Sequence, residues 1–195
     1  MADSIQLVVG LGNPGPQYDQ TRHNVGFWYV DELARQYNSQ FQYQAKLHAE
    51  VCRIRSSDID CWLCKPTTYM NESGFAVQAI SNYYKIELAN TLVAHDELDL
   101  LPGTVRLKQG GGHGGHNGLR HIIQQCGVKN FYRLRLGIGH PGHKSKVASY
   151  VLQRANSDDE TAINISIKET LDLSNELLQG KFQKVMNKLH TDKTE

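Results

Sequence analysis

Histidine, aspartate and asparagine recur in this sequence just after apolar, strand-like runs. Asn13 and His23, the latter after Thr21-Arg22, follow the run at residues 5–9. Tyr69-Met70-Asn71 follows residues 60–65, Asp96 follows residues 91–95, and His116-Asn117 sits within the glycine run 110–118. Such groups suit hydrolysis without a nucleophilic side chain. A histidine with a carboxylate partner is the arrangement of a general base, because the carboxylate fixes the tautomer and stabilises the imidazolium that forms. Asparagine amides can donate hydrogen bonds to a carbonyl oxygen or to the oxyanion it becomes. His23 falls at the start of a predicted helix, where the dipole opposes protonation and favours the neutral base. Taken singly, each residue also has a plainer reading: a structural histidine, a loop-capping Asp96, and helix-capping Asn71 and Asn117.

Four other patterns are weaker than they look. Gly10-Leu11-Gly12-Asn13-Pro14-Gly15 satisfies G-x-G-x-x-G after a strand, but Pro14 and Pro16 flank the third glycine. The acids at the spacing that a ribose would need, Asp31 and Glu32, fall inside a helical pattern, which argues against dinucleotide binding. The glycine run Gly110–Gly118 lacks the Lys-Ser/Thr of a P-loop. Cys61-Trp62-Leu63-Cys64 is a C-x-x-C inside an apolar strand with no second pair to complete a zinc site, so buried strand thiols are expected. His113-x-x-His116 with Asp96 could be written as a metal set, but it lies in glycine-rich chain and not on a helix that could fix ligand geometry, and no metal is expected.

The elements that must hold these groups alternate. Strands are predicted at residues 5–9, 91–95, 104–108 and 131–138, with a hairpin of 51–55 and 60–65. Helices are predicted at 24–37, 73–85 and 117–126, the last ended by Gly127. One long helix, opened by Ser157-Asp158-Asp159-Glu160, is expected to run to about Gly180, with a basic helix at 181–190. This order predicts an α/β fold: a single domain over residues 1–195 with a twisted, mixed, mostly parallel sheet flanked by helices, and C-terminal helices from about residue 158.

Length and charge narrow the class. The 195 residues are 39% apolar and 21% charged, enough for one core without disulfides and too balanced for a disordered chain. No apolar run approaches a membrane span, and nothing at the N-terminus reads as a secretion signal, so a soluble cytoplasmic protein is expected. The net charge is only +1, but it is unevenly distributed. Residues 100–157 hold nine Lys/Arg and no carboxylate: Arg106, Lys108, Arg120, Lys129, Arg133, Arg135, Lys144, Lys146 and Arg154. That predicts a positive face for a polyanion. Alternation places Arg133 and Arg135 on one face of their strand, which is expected to be solvent-facing because two unpaired guanidinium groups are costly to bury. The aromatic-basic stretches 131–135 and 150–154 lean weakly toward nucleic acid.

Five motifs together resemble bacterial peptidyl-tRNA hydrolases in order and spacing. They are Gly10-Leu11-Gly12-Asn13-Pro14-Gly15, Thr21-Arg22-His23-Asn24-Val25-Gly26, Lys65-Pro66-Thr67-Thr68-Tyr69-Met70-Asn71, His95-Asp96-Glu97-Leu98-Asp99 and the run Gly110–Leu119. The later stretch from Arg133 to Gly142 is also similar, and the likeness covers residues 5–190. It implies an esterase that cleaves a peptide from the 3′-terminal ribose of tRNA, without a cofactor. It implies His23 as the base, Asp96 as its orienting partner, and Asn13 as the residue that helps tell a blocked peptidyl group from a free amino acid. It implies Tyr18, Tyr69, Asn71, Asn117 and His116 as substrate contacts and Met70 as a cleft wall. Lys108, Arg133, Arg135 and Lys144 are implied to meet tRNA phosphates. The glycine run is implied to be a mobile loop beside the cleft, and the protein a monomer whose partner is peptidyl-tRNA. A splicing factor that resembles these hydrolases makes a non-catalytic RNA-binding protein the alternative, against which the presence of His23, Asp96, Asn71 and Asn117 counts.

Overall fold

The computed structural model describes residues 4–191. Seven strands form one sheet: β1 (Leu7–Gly10), β2 (Gln42–Gln44), β3 (Ala49–Arg55), β4 (Asp60–Pro66), β5 (Thr91–Glu97), β6 (Val105–Gln109) and β7 (Tyr132–Gly137), in the order β2-β3-β4-β1-β5-β7-β6. The middle four, β4-β1-β5-β7, are mutually parallel, and antiparallel strands flank them on both sides. This is the mixed sheet expected from the alternating elements. Buried on both faces, β1 and the Leu92–Ala94 stretch of β5 read as apolar runs, as central parallel strands do.

Helices cover both faces. On one, α1 (Val25–Gln36) packs with the C-terminal helices over Val8, Leu63, Leu92 and Leu134. On the other, α2 (Ser73–Tyr84) and α3 (Asn117–Cys126) cover Leu7, Val9, Cys64 and Val93. Gly10 and Gly26 let α1 approach the sheet closely: a Cβ on Gly26 would fall 2.4 Å from the Ala94 carbonyl oxygen. That contact sets the start of α1, and with it His23, against the end of β5.

Several expectations are corrected. The long helix from residue 157 breaks into α5 (Ser157–Leu171) and α6 (Ser174–Leu178), followed by α7 (Phe182–Leu189). The hydroxyls of Ser166 and Thr170 bond back to the carbonyls of Ile163 and Ser166, which loosens the helix. The chain then turns at Asp172 and directs Leu173, Leu177 and Leu178 into the core. The short α4 (Val147–Val151) and the edge strand β2, three exposed polar residues, carried no periodic signal. β5 extends to Glu97, so Asp96 lies within the strand end and not after it. Gly15 sits in a loop at φ 107°, ten residues before α1, so the first glycine motif opens no helix and forms no dinucleotide site. Cys52, Cys61 and Cys64 are buried free thiols; burial drives those of Cys61 and Cys64 far above the usual range.

Candidate active site

The end of β5 and the starts of two helices meet at one carboxylate. Asp96, 3% exposed, receives His23 Nδ1 at 3.0 Å and 2.9 Å through its two oxygens. Its Oδ1 also receives His116 Nε2 at 2.8 Å. The tautomer of His116 follows from its other nitrogen. Nδ1 accepts the backbone N–H groups of Gly118 at 3.2 Å and Leu119 at 3.4 Å, capping α3, so the proton is on Nε2. His116, and not Asn117, is therefore the N-cap, and Asn117 is the first helical residue. The other expected cap, Asn71, lies in a short 3-10 turn, Met70–Glu72, before α2.

His23 sits in the turn Arg22–Asn24 that leads into α1. Burial opposes its charged form, but the Asp96 carboxylate outweighs burial through its charge and its hydrogen bond, and the net shift is upward. The helix dipole therefore does not decide its protonation, contrary to the sequence argument. Asp96 is likewise desolvated, yet the two histidines hold its pKa far below the carboxylate range. With Nδ1–H committed to Asp96, Nε2 is the nitrogen of His23 left to take a proton. Beside them His95 is buried, donates Nδ1–H to the Asp96 carbonyl at 2.8 Å, and is pushed down to about 4 by desolvation and by His116.

Asn13 is fixed from three sides. Its N–H donates to Asn24 Oδ1 at 2.8 Å, its carbonyl accepts from Asn24 Nδ2 at 2.9 Å, and its Oδ1 accepts the Met70 N–H at 2.8 Å. With Oδ1 occupied, the amide presents its NH₂ as a donor. Asn117 is oriented in the same sense, because its Oδ1 accepts from Arg120 at 3.1 Å. Tyr18 and Tyr69 meet edge to face, with centroids 6.3 Å apart, and Tyr69 is 55% exposed. Met70 is buried and packs so close to α3 that a Cβ on Gly118 would lie 2.7 Å from its sulfur.

A cleft of about 560 Å³ opens beside His23, Asp96 and His116, and Asn117, Lys108, Arg133, Arg135 and Lys144 also line it. Asn13, Tyr18, Tyr69, Met70 and Asn71 lie outside that cleft; Asn13 bonds to Asn24, the neighbour of His23, and Met70 packs beside Gly118, the neighbour of Asn117. The positive face is smaller than the sequence implied, because acids from outside residues 100–157 reach it. Arg135 pairs with Glu97 at 2.9 Å, and Arg154 with Glu160 at 2.9 Å. Arg133 is buried after all: its guanidinium is not unpaired but donates to the carbonyls of Gly111 and Gly112. Lys108 and Lys144 are exposed and pair with no carboxylate among the described residues. Neither aromatic-basic stretch is a surface for bases. Phe131 is fully buried, and Tyr150 is covered by Arg22, 3.9 Å above its ring. Arg22 and Asn24, which fix α4 and Asn13 respectively, were missed; each flanks His23, and no periodicity or spacing marks such a role.

His23, Asp96 and His116 also offer three potential ligand atoms within 4.8 Å of one another. Their contacts of 2.8–3.0 Å are hydrogen-bond distances, shorter than the about 3.4 Å between donors around a tetrahedral ion. His113 is not drawn into this group, and its Nδ1 accepts the Gly115 N–H at 3.0 Å.

Comparison with known proteins agrees over the full length. The family model for peptidyl-tRNA hydrolase matches residues 7–195. The peptidyl-tRNA hydrolase of Coxiella burnetii is 53% identical over 191 residues, covering 98% of this chain and 100% of that protein. The one from Psychromonas ingrahamii is 52% identical over 196 residues and covers all of both. The solved peptidyl-tRNA hydrolase of Acinetobacter baumannii superposes with a TM-score of 0.94 at 45% identity, covering 98% of this chain and 97% of that one. Identity of about half the residues over matches that cover 98–100% of this chain, with a family model that spans residues 7–195, means that the chain belongs to the peptidyl-tRNA hydrolase family.

Proposed function

We propose that the chain hydrolyses the ester between a peptide, or an N-blocked aminoacyl group, and the 3′-terminal ribose of tRNA. The observation that carries the mechanism is the His23–Asp96 pair beside the cleft, which holds Nδ1–H and leaves Nε2 as a base. His23 Nε2 takes a proton from water, and the resulting hydroxide adds to the ester carbonyl carbon. The oxyanion is met by amide N–H donors, a role we assign to Asn117, which lines the cleft with its Oδ1 held by Arg120, while Asn71 is assigned to an adjoining substrate contact. The ribose oxygen then leaves and recovers the proton from His23. Asp96 stabilises the imidazolium in between, and His116 holds Asp96 from its other side. The chemistry asks for no metal or organic cofactor.

Asn13 is assigned to the peptide backbone next to the ester, since its fixed NH₂ can engage a blocked peptidyl group. Tyr18, Tyr69 and Met70 form the adjoining wall. Lys108 and Lys144, with Arg135 beside its acid partner, are assigned to phosphates of the acceptor arm. All residues assigned to the site come from one chain, which supports a monomer, and a tRNA substrate supports a cytoplasmic location where translation runs.

The test is release of N-acetyl-aminoacyl groups from tRNA, beside tRNA carrying a free α-amino group and with a chelator present throughout. Rapid release of the blocked group alone is expected, and Asn13→Ala should narrow the gap. Equal rates on both substrates, or loss of activity to the chelator, would overturn the reading.

A further inference from the structure

Arg133 is the cleft cation whose environment differs most from that of a phosphate ligand. It is 3% exposed, and its guanidinium lies 4.8 Å over the Phe131 ring. Nη1 donates to the Gly112 carbonyl and Nη2 to the Gly111 carbonyl. Both carbonyls belong to the glycine-rich segment that ends in His116 and Asn117. Little else holds that segment. A Cβ on Gly112, Gly114 or Gly115 would meet nothing within 4 Å. The hydrogen bonds of Gly115 and His116 backbone N–H groups stay inside the loop, on His113. Among the described residues, the Arg133 pair is the only hydrogen-bonded tie between the backbone of residues 111–115 and the rest of the fold. Gly110 is tied to Phe131 at the near end, and His116 to Asp96 at the far end.

We propose that Arg133 is a positioning residue, a buried clasp that fixes the glycine loop against β7 and so sets where His116 and Asn117 stand relative to Asp96. The proposal rests on the hydrolase reading for its kinetic consequence, but not for its structural one. A clasp and a phosphate ligand differ in what they require. A phosphate ligand needs charge and an exposed guanidinium, and it shows itself in the salt dependence of KM. A clasp needs two donors in a planar fork, which lysine cannot supply although it keeps the charge. It acts on the free protein, before any tRNA arrives.

The experiment uses the full chain with Arg133→Lys and Arg133→Gln. Backbone ¹⁵N order parameters are measured for residues 111–115 in the free protein, with kcat and KM for N-acetyl-aminoacyl-tRNA over a salt series. The clasp predicts rigid values near about 0.85 in the parent and below about 0.6 in both variants. It predicts kcat reduced about tenfold in both, with the salt slope of KM unchanged. Gly111→Ala provides a second route should these variants not fold. It leaves Arg133 in place but strains the loop at φ 102°, with its Cβ 3.0 Å from Lys108 Nζ, and should loosen the loop and lower kcat likewise. Unchanged order parameters in the Arg133 variants, or in Gly111→Ala if it alone folds, would overturn the proposal. So would a salt slope flattened by about one with kcat intact. A parent that turns over no substrate would sink the hydrolase reading, while the order parameters would still decide the clasp.

Discussion

Asp96→Asn is nearly isosteric, yet the geometry around it makes the change severe. His116 cannot alter its tautomer freely, because its Nδ1 is held by the Gly118 and Leu119 N–H groups. Its Nε2–H therefore claims the one remaining acceptor, the amide oxygen at the Oδ1 position, 2.8 Å away. The amide nitrogen then falls at the Oδ2 position, 2.9 Å from His23 Nδ1, where donor meets donor, and the amide oxygen 3.0 Å from that Nδ1 is already shared with His116 Nε2–H. His23 is driven toward the tautomer with its proton on Nε2, which cannot act as the base. Two effects should appear together. The plateau rate should fall on the order of 10²- to 10⁴-fold, the range of a lost general base. The acid limb of the pH profile should also move down. In the parent, Asp96 raises the His23 pKa above its ordinary 6.5, so kcat/KM rises with pH and levels only above that value. Without the carboxylate, burial alone remains and the midpoint drops. Stability runs the other way. The raised His23 contributes stability that is fully present below about 6.5 and lost as pH rises through its folded value. The depressed Asp96 contributes above about 3.9 and loses it as pH falls further. The pair should thus stabilise the fold most between about pH 4 and 6.5, where the base is least active. The assay is release of N-acetyl-aminoacyl groups from pH 5 to 9. An unchanged midpoint in the Asn variant would refute the coupling.

Other outcomes follow from single features. Lys108→Ala should raise KM for tRNA substrates, leave kcat intact and reduce the slope of log affinity against log salt by roughly 0.7 to 0.9, one phosphate's share; an unchanged slope would place the tRNA elsewhere. Gly26→Ala puts a Cβ 2.4 Å from the Ala94 carbonyl oxygen, so urea unfolding should show a loss of about 1–3 kcal/mol or more, and an unchanged midpoint would mean that α1 is not wedged against β5.

The reach of the sequence differed between kinds of feature. α3 was legible to the residue, since apolar periodicity and Gly127 at φ 70° mark its body and end. The strand order was open, because parallel pairing of β1 between β4 and β5 leaves no local trace. His23, Asp96 and Asn13 were legible through their motifs. The partners that orient them were not: His116 serves as cap and carboxylate donor at once, and Asn24 locks Asn13 through two reciprocal bonds. Each link joins residues distant in the chain or hides beside a more conspicuous neighbour. Arg133 shows the limit of alternation. The pattern put it on the same face as Arg135, but burial with two carbonyl partners depends on where a glycine loop returns, and strand periodicity is silent on that.

The central claim is that His23 is the base and Asp96 its orienting partner. Single-turnover hydrolysis of N-acetyl-aminoacyl-tRNA by His23→Ala, with binding measured separately, tests it most directly. The account predicts a folded variant that binds substrate as the parent does and loses on the order of 10²- to 10⁴-fold in rate. Hydrolysis within a fewfold of the parent by that variant would contradict it.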